Sequence, residues 1–190
     1  MASHSQRPQG ERLVVGITGR IGSGKTTVGR YLQSRYNFQY LRYSEILAEW
    51  RAKDPESKAH LQKVGWEVMT GGMQAELNRR LIAGIAPYVD VAVDGLRHPL
   101  DCETLKNSFS DSFRLLYIDS PSRLRFDRLN QKGKYADFAS FEAADSHPVE
   151  QQIGSLRINA ALVIRNEDSL QELYAKVDEA IHRFRKEGQS

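Results

Sequence analysis

Leu13-Val14-Val15-Gly16-Ile17-Thr18-Gly19-Arg20-Ile21-Gly22-Ser23-Gly24-Lys25-Thr26-Thr27 is the stretch on which the fold of this chain turns. An apolar run, Leu13 to Thr18, leads directly into Gly19 to Thr26, which carries G-x-x-x-x-G-K-[ST] at every fixed position, and a helical pattern follows. Glycines let the backbone take positive φ and turn its N–H groups inward. Gly19, Arg20, Ile21, Gly22, Ser23 and Gly24 therefore read as an anion-binding nest at a helix N-terminus. Lys25 supplies a point charge for the β- and γ-oxygens of a triphosphate, Thr26 offers a hydroxyl to Mg²⁺, and Thr27 extends the helix. ATP or GTP with Mg²⁺ is the expected ligand.

Working outward, four more apolar runs separated by helical patterns mark a parallel sheet, because buried parallel strands read as continuous Val/Ile/Leu stretches. They are Phe38 to Tyr43, Val89 to Asp94, Arg114 to Asp119 and Ala161 to Arg165. Helices are expected over Thr26 to Tyr36, Ser57 to Thr70, Met73 to Ala83, Pro121 to Gln131 and Leu170 to Lys186. Asp54-Pro55 and Ser120-Pro121 each place a capping side chain before proline at a first helical position, and Ser169 with Glu172 makes a capping box. The alternation implies an α/β fold with helices on both faces of the sheet. The polar stretch Gly133 to His147 shows no clear period and reads as a long functional loop.

Val89 to Asp94 ends in aspartate, which puts Asp94 at the carboxyl edge of the sheet beside the phosphate cradle, where open α/β sheets bind ligands. Its expected task is to hold water coordinated to Mg²⁺. Gly95 follows, where water-activating ATPases carry glutamate, and no Asn-Lys-x-Asp guanine signature occurs in the chain. Phosphoryl transfer to another acceptor is the leading class, with a non-catalytic ATP-binding switch or accessory protein as the alternative. Arg97, three residues beyond Asp94, has the guanidinium fork that matches an acceptor phosphate.

Arg123, Arg125, Arg128, Lys132 and Lys134 crowd the segment leading into the irregular stretch, and helical spacing puts Arg125, Arg128 and Lys132 on one face. Transferring phosphoryl groups spread negative charge over their equatorial oxygens, so a closing element that brings cations suits the chemistry. A solvated basic face is the alternative reading. Residues 42–86 are too long for a simple crossover and read as an acceptor-binding insertion with Ser44, Glu45, Arg51 and Gly65 as candidates. Trp50, Trp66 and Met69 read as core rather than as a stacking platform.

With these residues in hand, the chain resembles P-loop nucleoside-monophosphate kinases, deoxynucleotide kinases included. Its opening, Val15 to Val28, is similar to dephospho-coenzyme A kinase. Leu61-Gln62-Lys63-Val64-Gly65, Asp94-Gly95-Leu96-Arg97, Arg125-Phe126-Asp127-Arg128-Leu129 and Ala161 to Asn166 carry the rest of the likeness. The resemblance implies a three-layer α/β/α fold with a five-stranded parallel sheet in order 2-3-1-4-5, a lid around residues 132–147, and ATP as donor. It also implies that Arg128 lies against the adenine, Lys132 reaches the phosphates, the loop after Asn166 lines the base, and Arg97 holds the acceptor's phosphate. The implied acceptor is a (deoxy)nucleoside monophosphate or, alternatively, dephospho-coenzyme A. Two departures stand out: Tyr43-Ser44-Glu45 replaces the Ser/Thr-Gly-Asp step expected after the second strand, and the aspartate pair of dephospho-coenzyme A kinases is missing there.

Composition bounds the rest. The 190 residues suit one domain, 12–190, behind a polar tail, 1–11. Hydrophobic residues at 40% argue for a folded core, and a net charge of +3 suits nucleotide handling but is too small for a nucleic-acid arm. Nucleic acid is therefore not an expected partner, and a monomer or homodimer is. The single cysteine, Cys102, forms no internal disulfide, so a reducing, cytoplasmic setting is expected. No apolar run approaches a membrane span.

Overall fold

The computed structural model describes residues 12–52 and 60–188. The proposed tail, the Asp54-Pro55 cap and the first turn expected from Ser57 lie outside the described residues.

Five strands form the sheet: β1 (Val14–Thr18), β2 (Gln39–Arg42), β3 (Val91–Leu96), β4 (Phe113–Asp119) and β5 (Leu162–Arg165). Their order is β2-β3-β1-β4-β5 and every pairing is parallel. Strand periodicity explains why both faces are apolar. Val15, Ile17, Ala92, Leu116 and Ile118 point to one core, while Val14, Val91, Val93 and Leu115 point to the other. The first face is covered by α1 (Lys25–Tyr36) and α9 (Leu170–Glu187). In α9, Leu173, Val177, Ala180, Ile181 and Phe184 form a buried stripe at helical spacing.

The second face packs against α2 (Tyr43–Arg51), α3 (Leu61–Thr70), α4 (Gln74–Ala83) and α5 (Pro99–Phe109), through Leu47, Val68, Leu77, Leu81 and Leu105. Burying each such side chain contributes about 1.5–3 kcal/mol. Beyond β4 come α6 (Ser122–Asn130), α7 (Phe138–Asp145) and α8 (Pro148–Leu156). Among the described residues, no helix is long and apolar enough to cross a membrane.

Several sequence expectations need correction. Tyr43 opens α2 rather than ending a strand, and α2, α5, α7 and α8 had no predicted counterpart. Gly133 to His147 is not irregular throughout, because Asp137 and Ser140 form a capping box that starts α7. Ser120 does not cap α6. Its hydroxyl donates to the carbonyl of Asn166 at 2.9 Å, and the helix begins only after Pro121. The Ser169–Glu172 capping box is present as expected.

The third strand runs past Asp94 to Leu96. Ile17 pairs with Asp94 but Thr18 pairs with Leu96, so Gly95, at φ 93°, is the extra residue of a β-bulge. Bulges bend a strand and re-aim its side chains. Here the bulge directly follows Asp94, at the carboxyl end of the two central strands.

Candidate active site

The loop between β1 and α1 depends on glycine for two physical reasons. Gly19 has φ 142° and a Cβ there would stand 2.3 Å from the carbonyl oxygen of Ile118; Gly24 has φ 107° and a Cβ would stand 2.4 Å from Asn166 Nδ2. Any side chain at either position meets a backbone strain and a collision together. Asn166 lies so close because its Nδ2 donates to the carbonyl of Ser23 at 2.8 Å, which ties the end of β5 to the loop.

Lys25 folds over its own loop and donates to the carbonyls of Gly19 at 2.6 Å and Arg20 at 3.0 Å. Burial, then the Arg97 guanidinium, pull its ammonium down to about 8, against the opposing carboxylates of Asp94 and Glu150. Thr26 Oγ1 donates to Asp94 Oδ2 at 3.2 Å, and the Tyr40 hydroxyl donates to the same oxygen at 2.7 Å. Burial and this carboxylate push the Tyr40 phenol well up from its ordinary range. Asp94 is only 4% exposed and faces the Arg42 guanidinium at 3.7 Å.

A cavity of about 830 Å³ opens from this loop, lined on one side by Gly24, Lys25, Thr26 and Thr27 and on the other by Ser44, Glu45, Gly65, Gln74 and Arg97. Ile21, Gly22, Asp94, Arg128 and Lys132 also line it. Arg128 donates to Ser120 Oγ and to the Asn166 carbonyl, both at 3.0 Å, so the two residues expected at the adenine end are joined. Gly19, Arg20, Ser23 and Asn166 stand behind this wall. Arg51 is not part of it, since its guanidinium stacks over the Trp50 ring at 4.3 Å. Met69, expected in the core, lines the cavity instead.

The basic face of α6 is divided. Arg125 is 3% exposed and turns inward, where it forks onto both oxygens of Asp145 at 2.6 and 2.9 Å. It also donates to the carbonyls of Ser120 and Ile21, each at 3.0 Å. It is therefore a structural clamp and not a free cation on a closing element. Arg20 reaches the same Asp145, at 3.3 Å.

Two carboxylate sites escaped the sequence reading. Glu150, 1% exposed in the first turn of α8, accepts from the backbone N–H of Ile21 at 2.8 Å and pairs with Arg97. The fork expected for an acceptor phosphate already has a carboxylate partner. Asp101, buried in α5, accepts from the N–H groups of Arg97 at 3.0 Å and His98 at 2.9 Å, and from the Gln74 amide at 2.6 Å. His147-Pro148 and His98-Pro99 were the available signals, since each histidine accepts from the backbone two residues on and each proline opens a helix.

The strand order, all-parallel sheet and glycine loop after β1 together define the P-loop nucleoside-monophosphate-kinase-like fold. Solved structures with this architecture include a gluconokinase from Sinorhizobium meliloti, with TM-score 0.63 at 13% identity over 94% of this chain and 96% of that one. A shikimate kinase from Acinetobacter baumannii superposes with TM-score 0.56 at 17% identity over 92% and 95%. In sequence the chain is similar to a UPF0200 protein of Pyrobaculum aerophilum, 26% identical over 179 residues covering 90% of this chain and 98% of that one. A UPF0200 protein of Sulfurisphaera tokodaii is 24% identical over 174 residues, covering 90% and 97%. No protein-family model matches the sequence.

Proposed function

We propose that this protein is an ATP-dependent small-molecule kinase. The observation that carries the reading is the single cavity joining Lys25 and Thr26 of the phosphate loop to a polar wall from α2, α4 and the end of β3. Such a cavity holds a donor and an acceptor side by side, and positioning of that kind, with cations at the migrating group, accounts for most of phosphoryl-transfer catalysis. The donor's phosphates would lie on residues 19–27, with Arg128, Lys132 and Asn166 toward its far end. Thr26 and Asp94 fit a Mg²⁺ ion that takes its other oxygens from phosphate and water, because hard cations favour oxygen ligands and few protein groups. The segment 132–147, its helix α7 fastened to the phosphate loop through Asp145, would cover the donor and shield it from water.

Ser44, Glu45, Gly65 and Arg97 would meet the acceptor. A nucleotide-like acceptor, first a (deoxy)nucleoside monophosphate and second dephospho-coenzyme A, suits the cavity's size and the Asp94-Gly95-Leu96-Arg97 motif. One observation favours a different reacting end: Arg97 and Arg42 each already face carboxylates, Glu150 for the first and Glu45 and Asp94 for the second. Paired guanidinia suit a polyhydroxy acceptor with at most one charge better than a phosphate dianion.

The deciding experiment measures ADP release by the purified protein with Mg²⁺ and ATP across nucleoside monophosphates, deoxynucleoside monophosphates, dephospho-coenzyme A, shikimate and gluconate. Stimulation by one compound names the acceptor class. ATP binding with no stimulation by any would overturn the kinase reading in favour of a nucleotide-binding switch.

A further inference from the structure

We propose that Glu150 is the group that takes the proton from an acceptor hydroxyl, an inference that rests on the kinase reading above and on an alcohol rather than a phosphate as the attacking group. Phosphate loops gather N–H donors and cations because their ligand is an anion. A buried carboxylate on one of those N–H groups opposes that purpose, since it repels the terminal phosphate in a region where water screens little. Glu150 is nevertheless fixed there. Its carboxylate accepts from Ile21 N–H at 2.8 Å, Arg97 holds its other oxygen, and His147 and Pro148 set the start of the helix that carries it. Ile153 and Leu156 of the same helix are fully buried, so the carboxylate stands on a packed element and not on a loop.

Its position explains the arrangement. Glu150 lines the cavity with Lys25, Arg97 and Lys134, at the junction of the phosphate loop and the acceptor wall. Each carboxylate oxygen has two acceptor sites, so the bonds to Ile21 and Arg97 leave one site free on each oxygen for a further proton donor. No glutamate follows Asp94 in β3; Glu150 brings a carboxylate to the same cavity from α8. In the step inferred, the acceptor's O–H bond breaks and its proton passes to Glu150 as the oxygen bonds to the γ-phosphorus. The bond from that phosphorus to the β,γ-bridging oxygen breaks, and its electron pair leaves with ADP.

Glu150→Gln keeps the shape and the Ile21 contact but removes the proton acceptor. With the best hydroxyl acceptor of the panel, dephospho-coenzyme A, shikimate or gluconate, kcat is expected to fall about 10²- to 10⁴-fold, the usual worth of general base catalysis, and wild-type turnover with monophosphates alone would refute the role of Glu150. Calorimetry supplies a second readout: binding of ATP relative to ADP is expected to tighten by about fivefold or more, because only ATP's γ-phosphate faces the lost charge. A residue that merely held Arg97 would change both nucleotides alike and raise the acceptor's KM instead. If Glu150→Gln does not fold, Glu150→Asp decides, since retracting the carboxylate by one methylene is expected to cost at least about tenfold in kcat. Wild-type protein is assayed first. No acceptor-dependent ADP release there refutes the kinase reading itself, whereas wild-type turnover with kcat retained within about threefold in Glu150→Gln, or in the Asp variant where that one decides, refutes the role of Glu150 alone.

Discussion

Replacing Asp145 by asparagine tests how the helices after β4 are fastened to the phosphate loop. Asp145 receives both guanidinium nitrogens of Arg125, at 2.6 and 2.9 Å, and a third contact from Arg20 at 3.3 Å. Arg125 is 3% exposed and has no route to water, so the amide leaves a buried cation without its counter-charge. Breaking a buried pair from one side costs about 3–5 kcal/mol. The Arg20 contact adds little, because that side chain is 30% exposed and such pairs contribute at most about 1 kcal/mol. At roughly 2–4 °C per kcal/mol for a chain of this size, the melting temperature is expected to drop by about 6–20 °C. Thermal unfolding followed by circular dichroism reads the shift, and urea midpoints check it. The double variant Arg125→Met, Asp145→Leu replaces the pair with apolar groups and is expected to recover at least half of the loss. A drop below about 2 °C for Asp145→Asn would refute the claim that this pair clamps the fold.

Three further outcomes follow from the loop itself. Lys25, lowered from 10.5 to about 8, binds fewer protons folded than unfolded between those values, so unliganded stability should rise with pH across that window. The rise is on the order of 3 kcal/mol at about 1.4 kcal/mol per unit, while ATP affinity falls above pH 8; Lys25→Met should flatten both curves, and an unchanged slope in that variant would disprove the assignment. Gly24→Ala combines positive φ with a collision at Asn166 and should lose at least about 2 kcal/mol and nucleotide binding, whereas Gly72→Ala, with φ 70° and open space around it, should lose about 1 kcal/mol. For Arg97→Ala, steady-state kinetics should show the acceptor's KM rising more than that of ATP, and a rise in ATP's KM alone would remove Arg97 from the acceptor wall.

What the sequence revealed was whatever is local. The strands were legible because their apolar runs sit on both faces of a sheet, and the phosphate loop because its glycines and Lys25-Thr26 are contiguous. The α9 box, Ser169 with Glu172, was legible for the same reason. Helices α2 and α8 were missed because their first turns carry mixed polarity and their buried residues answer to packing partners far along the chain. Arg125 looked like one cation among five until Asp145, twenty residues on, turned it inward. Asp94 was recognised, but the bulge at Gly95 that accompanies it emerges only from the register of β1 against β3.

Asp145 and Glu150 act on adjacent residues of the same loop. Asp145, at the end of α7, holds Arg20 and, through Arg125, the carbonyl of Ile21; Glu150, at the start of α8, holds the N–H of Ile21. Helices α7 and α8 are thus pinned to the Arg20-Ile21 step of the phosphate loop, by contacts 125 and 129 residues apart in sequence. A ligand that takes the Ile21 amide must displace Glu150 or share it, and either adjustment reaches Arg97 on the acceptor wall through a single carboxylate. On the proposed function, donor and acceptor sites would be coupled by one side chain rather than by a chain of packed residues. Nucleotide binding should accordingly alter the accessibility of Arg97 before any acceptor is present, and equal protection of the Arg97 guanidinium from arginine-specific reagents with and without ATP would contradict that coupling.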